Sequence, residues 1–180
     1  DPFEVKNILK YWALSEKQDF HVIPTDTISI SIDKDAVLRS GIMLPDSIRH
    51  LKGEDLKNAI PDKIYISLKD MRILTKVDML MLEMLANCNW ERPLYMAISV
   101  GEVSKLKFDH YFVQEGLAFR FTPFDYKKWG NVKGDNNYAI DVERLYENVM
   151  NRYKYGGLDT PGLYLDETTL RTCYYHRRLF

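Results

Sequence analysis

A chain of 180 residues with 46% hydrophobic and 13% aromatic side chains can bury one sizeable core, so one domain, or one domain with a helical appendage, is expected. The formal net charge of −1 comes from interspersed acids and bases, which excludes the clustered Lys and Arg of a nucleic-acid footprint. No run approaches the roughly 18 apolar residues of a membrane-spanning helix.

Phe3, Ile8, Leu9 and Trp12 are spaced for an amphipathic first helix that ends near Ser15. Residues 20–32 read as a strand, broken or placed at an edge by Pro24, with Ile28, Ile30 and Ile32 alternating on one face. Asp33 is a good N-cap for a short helix through Val37 and Leu38, with Gly41 as its stop. Leu44 to Pro61 reads as a loop with one helical turn.

The stretch from Lys63 to Pro123 organises the rest. Residues 63–69 alternate as a strand. Thr75 and Asp78 then resemble a capping box, opening a helix whose Val77, Leu80, Met81, Met84, Leu85 and Cys88 form one apolar stripe. Leu80, Met84 and Leu85 are expected to be nearly fully buried. Pro93 ends that helix, and residues 94–100 read as a strand covered on both faces. Phe108, Tyr111, Phe112 and Glu115 are placed on a short helix closed by Gly116, and Leu117 to Phe121 make another strand.

Strands separated by helical crossovers predict parallel pairing and an α/β class, with α+β as the alternative. The expected core is a three- to five-stranded, largely parallel or mixed sheet with flanking helices. At least three of the stretches 20–32, 63–69, 94–100 and 117–122 should share it. Asp125 to Tyr138 reads as a surface loop. Asp141 caps a helix with Val142, Leu145, Tyr146 and Val149, and Asp166 begins a last one with Leu170, Cys173, Tyr174 and Leu179. Residues 1–124 then form the core domain. Residues 125–180 form a loop and helical extension packed on it as one unit.

Few motifs carry chemistry. Asp33-Lys34-Asp35 has a spacing that can hold a divalent metal, but a helix N-cap and first-turn acid explain it as well. The four histidines lack metal-ligand spacing, and no phosphate-cradling or nucleophile-elbow glycine pattern occurs. No catalytic, cofactor or metal site is therefore assigned. Cys88 and Cys173 are read as separate thiols on two helices. At the corner Asn89-Trp90-Glu91-Arg92-Pro93, Asn89 ends the helix in left-handed conformation. Trp90 and Arg92 either contact a ligand or serve the core, Trp90 packing under the sheet and Arg92 pairing with Glu115. The tyrosines of the last third line an interface with the rest of a larger chain or form a ligand face. The chain opens on Asp1-Pro2-Phe3 without an initiator Met and closes inside a predicted helix, so a segment of a longer protein is expected.

Two runs, Asn87-Cys88-Asn89-Trp90-Glu91-Arg92-Pro93-Leu94-Tyr95 and Tyr111-Phe112-Val113-Gln114-Glu115-Gly116-Leu117-Ala118-Phe119-Arg120, are the most specific parts of a wider resemblance. It also takes in Ile23-Pro24-Thr25, residues 37–41, residues 74–78, Tyr155-Gly156-Gly157-Leu158 and Tyr164 to Arg171. Together these segments resemble the C-terminal extracytoplasmic region of a Bacteroidetes family of multi-spanning membrane proteins, itself similar to protein O-mannosyltransferases. The resemblance implies a non-catalytic periplasmic accessory domain, tethered to the inner membrane in the parent protein, with the transferase chemistry in the transmembrane portion of the same chain. That portion is the implied partner, with a glycan or polypeptide acceptor as a further one; no cofactor is implied. Trp90, Arg92, Tyr95, Glu115, Arg120, Asp166 and Arg171, all within the resembling segments, are the candidate ligand or interface contacts. The alternatives are a carbohydrate- or peptide-binding module that acts without a transferase, and a metal-dependent enzyme using Asp33 and Asp35.

Overall fold

Alternating isoleucines build the first layer. In the computed structural model, which describes residues 1–13, 25–69, 74–100, 109–130, 132, 138–154, 156–158 and 160–177, strands β1 (Thr27–Ser31) and β2 (Lys63–Ser67) pair antiparallel. Ile28 lies opposite Ile66 and Ile30 opposite Ile64, so the period of two puts all four on one buried face. Helix α1 (Val5–Ile8), continued by a π-helical turn Leu9–Ala13, adds Val5 and Ile8 to that core. Residues 14–24, the N-terminal half of the expected first strand among them, lie outside the described residues. Asp33 caps α2 (Lys34–Arg39), its carboxylate accepting the Ala36 N–H at 3.0 Å. Asp35 reaches Lys57 on α3 (Gly53–Ala59) at 2.7 Å.

Helix α4 (Lys76–Asn87) starts from the expected capping box, with both reciprocal bonds formed between Thr75 and Asp78. Its buried face, however, is Asp78, Leu82, Leu85 and Ala86. Of the three residues expected to be buried, Leu85 is 5% exposed, while Leu80 is 57% and Met84 46% exposed. The helix is turned by roughly 100°, one residue, from its apolar stripe. The reason lies in Asp78: Thr75 donates to its carboxylate from the backbone N–H at 2.8 Å and from Oγ1 at 2.7 Å. A satisfied carboxylate can face the core, and reading apolar residues alone places it in water.

The second layer is a four-stranded mixed sheet of β3 (Tyr95–Ala97), β4 (Phe112–Gln114), β5 (Ala118–Phe121) and β6 (Ala139–Ile140), in the order β3-β5-β4-β6. The mixed α/β class is as expected, but the strand partition is not. The four expected strand stretches divide two and two between sheets, and β4 with β6 is the one parallel pair among the described strands. The expected helix around Tyr111–Glu115 is a single 3₁₀ turn, Asp109–Tyr111, followed by β4. Phe112 and Val113 are strand formers, and Gly116, at φ 132°, turns the chain straight back into β5. That turn leaves no crossover, so β4 and β5 must be antiparallel. β3 is an edge strand with Tyr95 and Ala97 exposed rather than covered on both faces.

Trp90 joins the two layers. Asn89 and Trp90 both take positive φ, 48° and 62°, which makes the sharp corner after α4. The indole stacks on Phe121 of β5 with centroids 5.5 Å apart, and its Nε1 donates to the Ser31 carbonyl at the end of β1. Beyond β5, the expected surface loop is partly core. Asp125 and Tyr126 are buried, and the Tyr126 hydroxyl donates to the Met43 carbonyl; residues 131 and 133–137 lie outside the described residues. Asp141 caps α5 (Val142–Glu147), which continues as a π-helical turn Asn148–Arg152, and α6 (Glu167–Arg177) closes the fold. Cys88 and Cys173 are both free.

Candidate functional site

The hairpin β4–Gly116–β5 leaves Glu115 at the end of β4, only 4% exposed. A carboxylate so placed needs partners, and the sheet register supplies two. Arg120 on β5 pairs across the ladder with Tyr95 on β3 and with Val113 on β4. Tyr95 Oη donates to Glu115 Oε2 at 2.9 Å, and Arg120 Nη1 lies 3.5 Å from Oε1. A third partner comes from α5: Arg144 Nη1 donates to Oε1 at 3.2 Å.

Both guanidiniums reach onward. Arg120 Nη2 donates to the Ser40 carbonyl at 2.8 Å, and Arg144 Nη2 donates to the Gly41 carbonyl. Arg144 Nε lies 3.6 Å from Asp141 Oδ2. The backbone at this turn is held too. Asn148 Nδ2 donates to the Glu115 carbonyl at 2.6 Å, and the Leu117 N–H donates to Tyr153 Oη at 2.8 Å. Tyr153 Oη lies where a Cβ on Gly116 would stand, 2.2 Å from it. Arg120 is 3% exposed, and its Nε has no hydrogen-bond partner among the described residues. Burial, and then the Glu115 carboxylate, push the Tyr95 phenol above its ordinary value. The cluster thus ties β3, β5, the 40–41 turn and α5 to one buried carboxylate.

Of the seven candidate contacts, Tyr95, Glu115 and Arg120 come together here. Trp90 is buried, its ring face on Phe121. Arg92 is exposed and forms no ion pair among the described residues, so the expected Arg92–Glu115 pair is absent and Arg120 and Arg144 take its place. Asp166 caps α6: it accepts the Thr169 N–H at 3.0 Å, and that bond holds its carboxyl below the usual range. Arg171 pairs with Glu167 at 2.6 Å on the exposed face of the same helix. Arg144 was missed. Nothing in its local spacing sets this basic residue of the short helix α5 apart from an ordinary surface cation.

Beside Arg144 opens a cleft of about 550 Å³. Gly41 to Leu44, Asp46 and Arg49 line one side, and Ile140 to Arg144 the other. Asp46 and Arg49 pair with each other at 3.2 Å. Elsewhere, His110 Nε2 lies 3.7 Å from the buried Asp125, and burial lowers the imidazole pKa against the pull of that acid. No group of three or more His, Cys, Asp or Glu among the described residues has the geometry to hold a metal ion.

No helix among the described residues is long and apolar enough to cross a membrane. No curated protein and no solved structure matches the chain. Residues 3–143, a range that takes in both sheets and the Tyr95–Glu115–Arg120 cluster, match one sequence family, and the chain belongs to it: the TMEM260-associated domain 2 family.

Proposed function

We propose that this chain is an extracytoplasmic, non-catalytic accessory domain of a membrane-embedded, protein O-mannosyltransferase-like glycosyltransferase. It positions an acceptor or braces the transmembrane portion of the same parent chain, which tethers it to the membrane. The observation that carries this reading is the match of residues 3–143 to a domain described by its association with TMEM260. The use made of the motif residues supports it. Trp90 joins the two sheets, while Glu115 and Arg120 lock a turn, so the runs that carry the resemblance act as folding signatures.

The test uses the purified parent enzyme and a lipid-linked mannose donor. Removing this domain, or substituting Glu115→Ala within it, should lower transfer or the thermal stability of the membrane portion. The isolated chain should transfer nothing. Sugar transfer by the isolated chain, or a parent enzyme indifferent to the domain's removal, would overturn the proposal. The cleft beside Arg144 favours a second reading, a ligand-binding module that acts without a transferase.

A further inference from the structure

Among the described residues, no strand pairs with the outer edge of β6, which lies beside the cleft. β6 is the last strand in the order β3-β5-β4-β6. Its register sets Ala139 opposite Val113 and Ile140 opposite Gln114, and the Asp141 N–H donates to the Gln114 carbonyl at 3.0 Å. In a parallel ladder this turns the N–H and C=O of Ile140 away from β4, toward the outer edge. Ile140 also lines the cleft, whose other wall is the segment Gly41–Leu44. Arg144 spans the two walls through its bond to the Gly41 carbonyl, so the width of the cleft is fixed by the cluster around Glu115.

The charges on the rim select among occupants. Arg49 is paired with Asp46, and Arg144 with Glu115 and Asp141. Glu143 is left exposed, with no ion pair among the described residues. Both cations are matched and one acid is not, which disfavours phosphate or nucleotide and favours a basic group. Exposed Ile140 and Val142 on one side and half-buried Met43 and Leu44 on the other offer apolar contact between these polar points.

We infer that the cleft takes an extended polypeptide segment carrying a Lys or Arg, which hydrogen-bonds to the open Ile140 edge as an added strand and sets its basic side chain against Glu143. Main-chain bonds to the edge supply affinity, and the apolar and acidic contacts supply selectivity. This inference does not depend on the transferase assignment, because it concerns binding by the isolated chain.

The experiment selects peptides about 12 residues long from a random displayed library on the isolated chain, then measures the enriched peptides by fluorescence anisotropy. Enriched sequences should alternate apolar residues around a Lys or Arg. Ile140→Pro removes an N–H that the ladder does not use, so the variant should fold, as circular dichroism will check, and should weaken binding about tenfold or more. Glu143→Lys, an exposed substitution with little bearing on folding, should weaken binding similarly and shift selection toward acidic peptides. The inference is overturned if nothing is enriched, or if the enriched peptides bind both variants as tightly as the unmodified chain. It is equally overturned if the chain sediments as a dimer that Ile140→Pro dissociates, since a second copy would then occupy the edge.

Discussion

Glu115→Gln keeps the size of the side chain and removes its charge. Glu115 is 4% and Arg120 3% exposed, so the substitution leaves a guanidinium buried without its counter-charge. Removing one partner of a buried ion pair costs about 3–5 kcal/mol. Two features pull the cost toward the lower end. Arg120 keeps its bond to the Ser40 carbonyl, and the glutamine oxygen still accepts one hydrogen bond. An expected loss of about 3 kcal/mol, with a urea dependence of about 2 kcal/mol/M, moves the unfolding midpoint down by about 1.5 M. Adding Arg120→Met removes the stranded cation, so the double variant should be less destabilised than the sum of the single variants by about 1.5 kcal/mol or more. Arg92→Met, at an exposed side chain, should stay within about 0.5 kcal/mol of the unmodified protein and should add to Glu115→Gln without coupling. The reasoning fails if Glu115→Gln leaves the midpoint unchanged within error, or if Glu115 and Arg120 prove additive.

Leu85→Ala should cost about 2–5 kcal/mol, because the side chain is 5% exposed, whereas Leu80→Ala, at a residue 57% exposed, should stay within about 0.5 kcal/mol. Equal losses in chemical denaturation would show that the helix is rotated from the orientation described. Burial pushes the Cys88 thiol above its ordinary value. Since the thiolate is the reactive form, alkylation of Cys88 by iodoacetamide in the Cys173→Ser variant should reach half its plateau rate at a higher pH than a model thiol does. A profile that matches the model thiol would contradict the burial.

The presence of the elements was legible where one local rule dominated. The isoleucine alternation fixed β1 and β2, and the Asp33, Thr75 and Asp141 caps placed three helix starts correctly. What failed was the arrangement of strands. Alternating periods predict parallel pairing, and the spacing around Tyr111–Glu115 predicts a helix, although Phe112-Val113 favours a strand. Once that segment is a strand, Gly116 makes a tight turn, and antiparallel pairing with β5 follows. Three of the cluster's four side chains, Tyr95, Glu115 and Arg120, stand in the two most specific runs of the sequence, and Arg144 does not. Glu115 and Arg120 stand five residues apart across one turn, so a local motif contains both. Tyr95 and Arg144 lie 20 and 29 residues from Glu115, and only the fold brings them to it.

The places where the fold departs from the sequence pattern are the features that hold the molecule together. Asp78, Glu115, Arg120 and Asp125 are polar residues buried among specific partners, although Arg120 keeps its Nε unbonded among the described residues. A pattern that sorts residues into apolar inside and polar outside misplaces each of them. Trp90 departs from local preference in the other direction. A left-handed backbone at a non-glycine residue costs roughly 1–2 kcal/mol. The stack on Phe121 and the bond to Ser31 offset that cost, and they reach both sheets at once. The corner therefore adopts a conformation its own sequence would not choose, because that conformation closes the gap between layers. This accounts for a tryptophan and a buried Glu–Arg pair sitting inside the two most specific runs of the chain while each spends its chemistry on the fold.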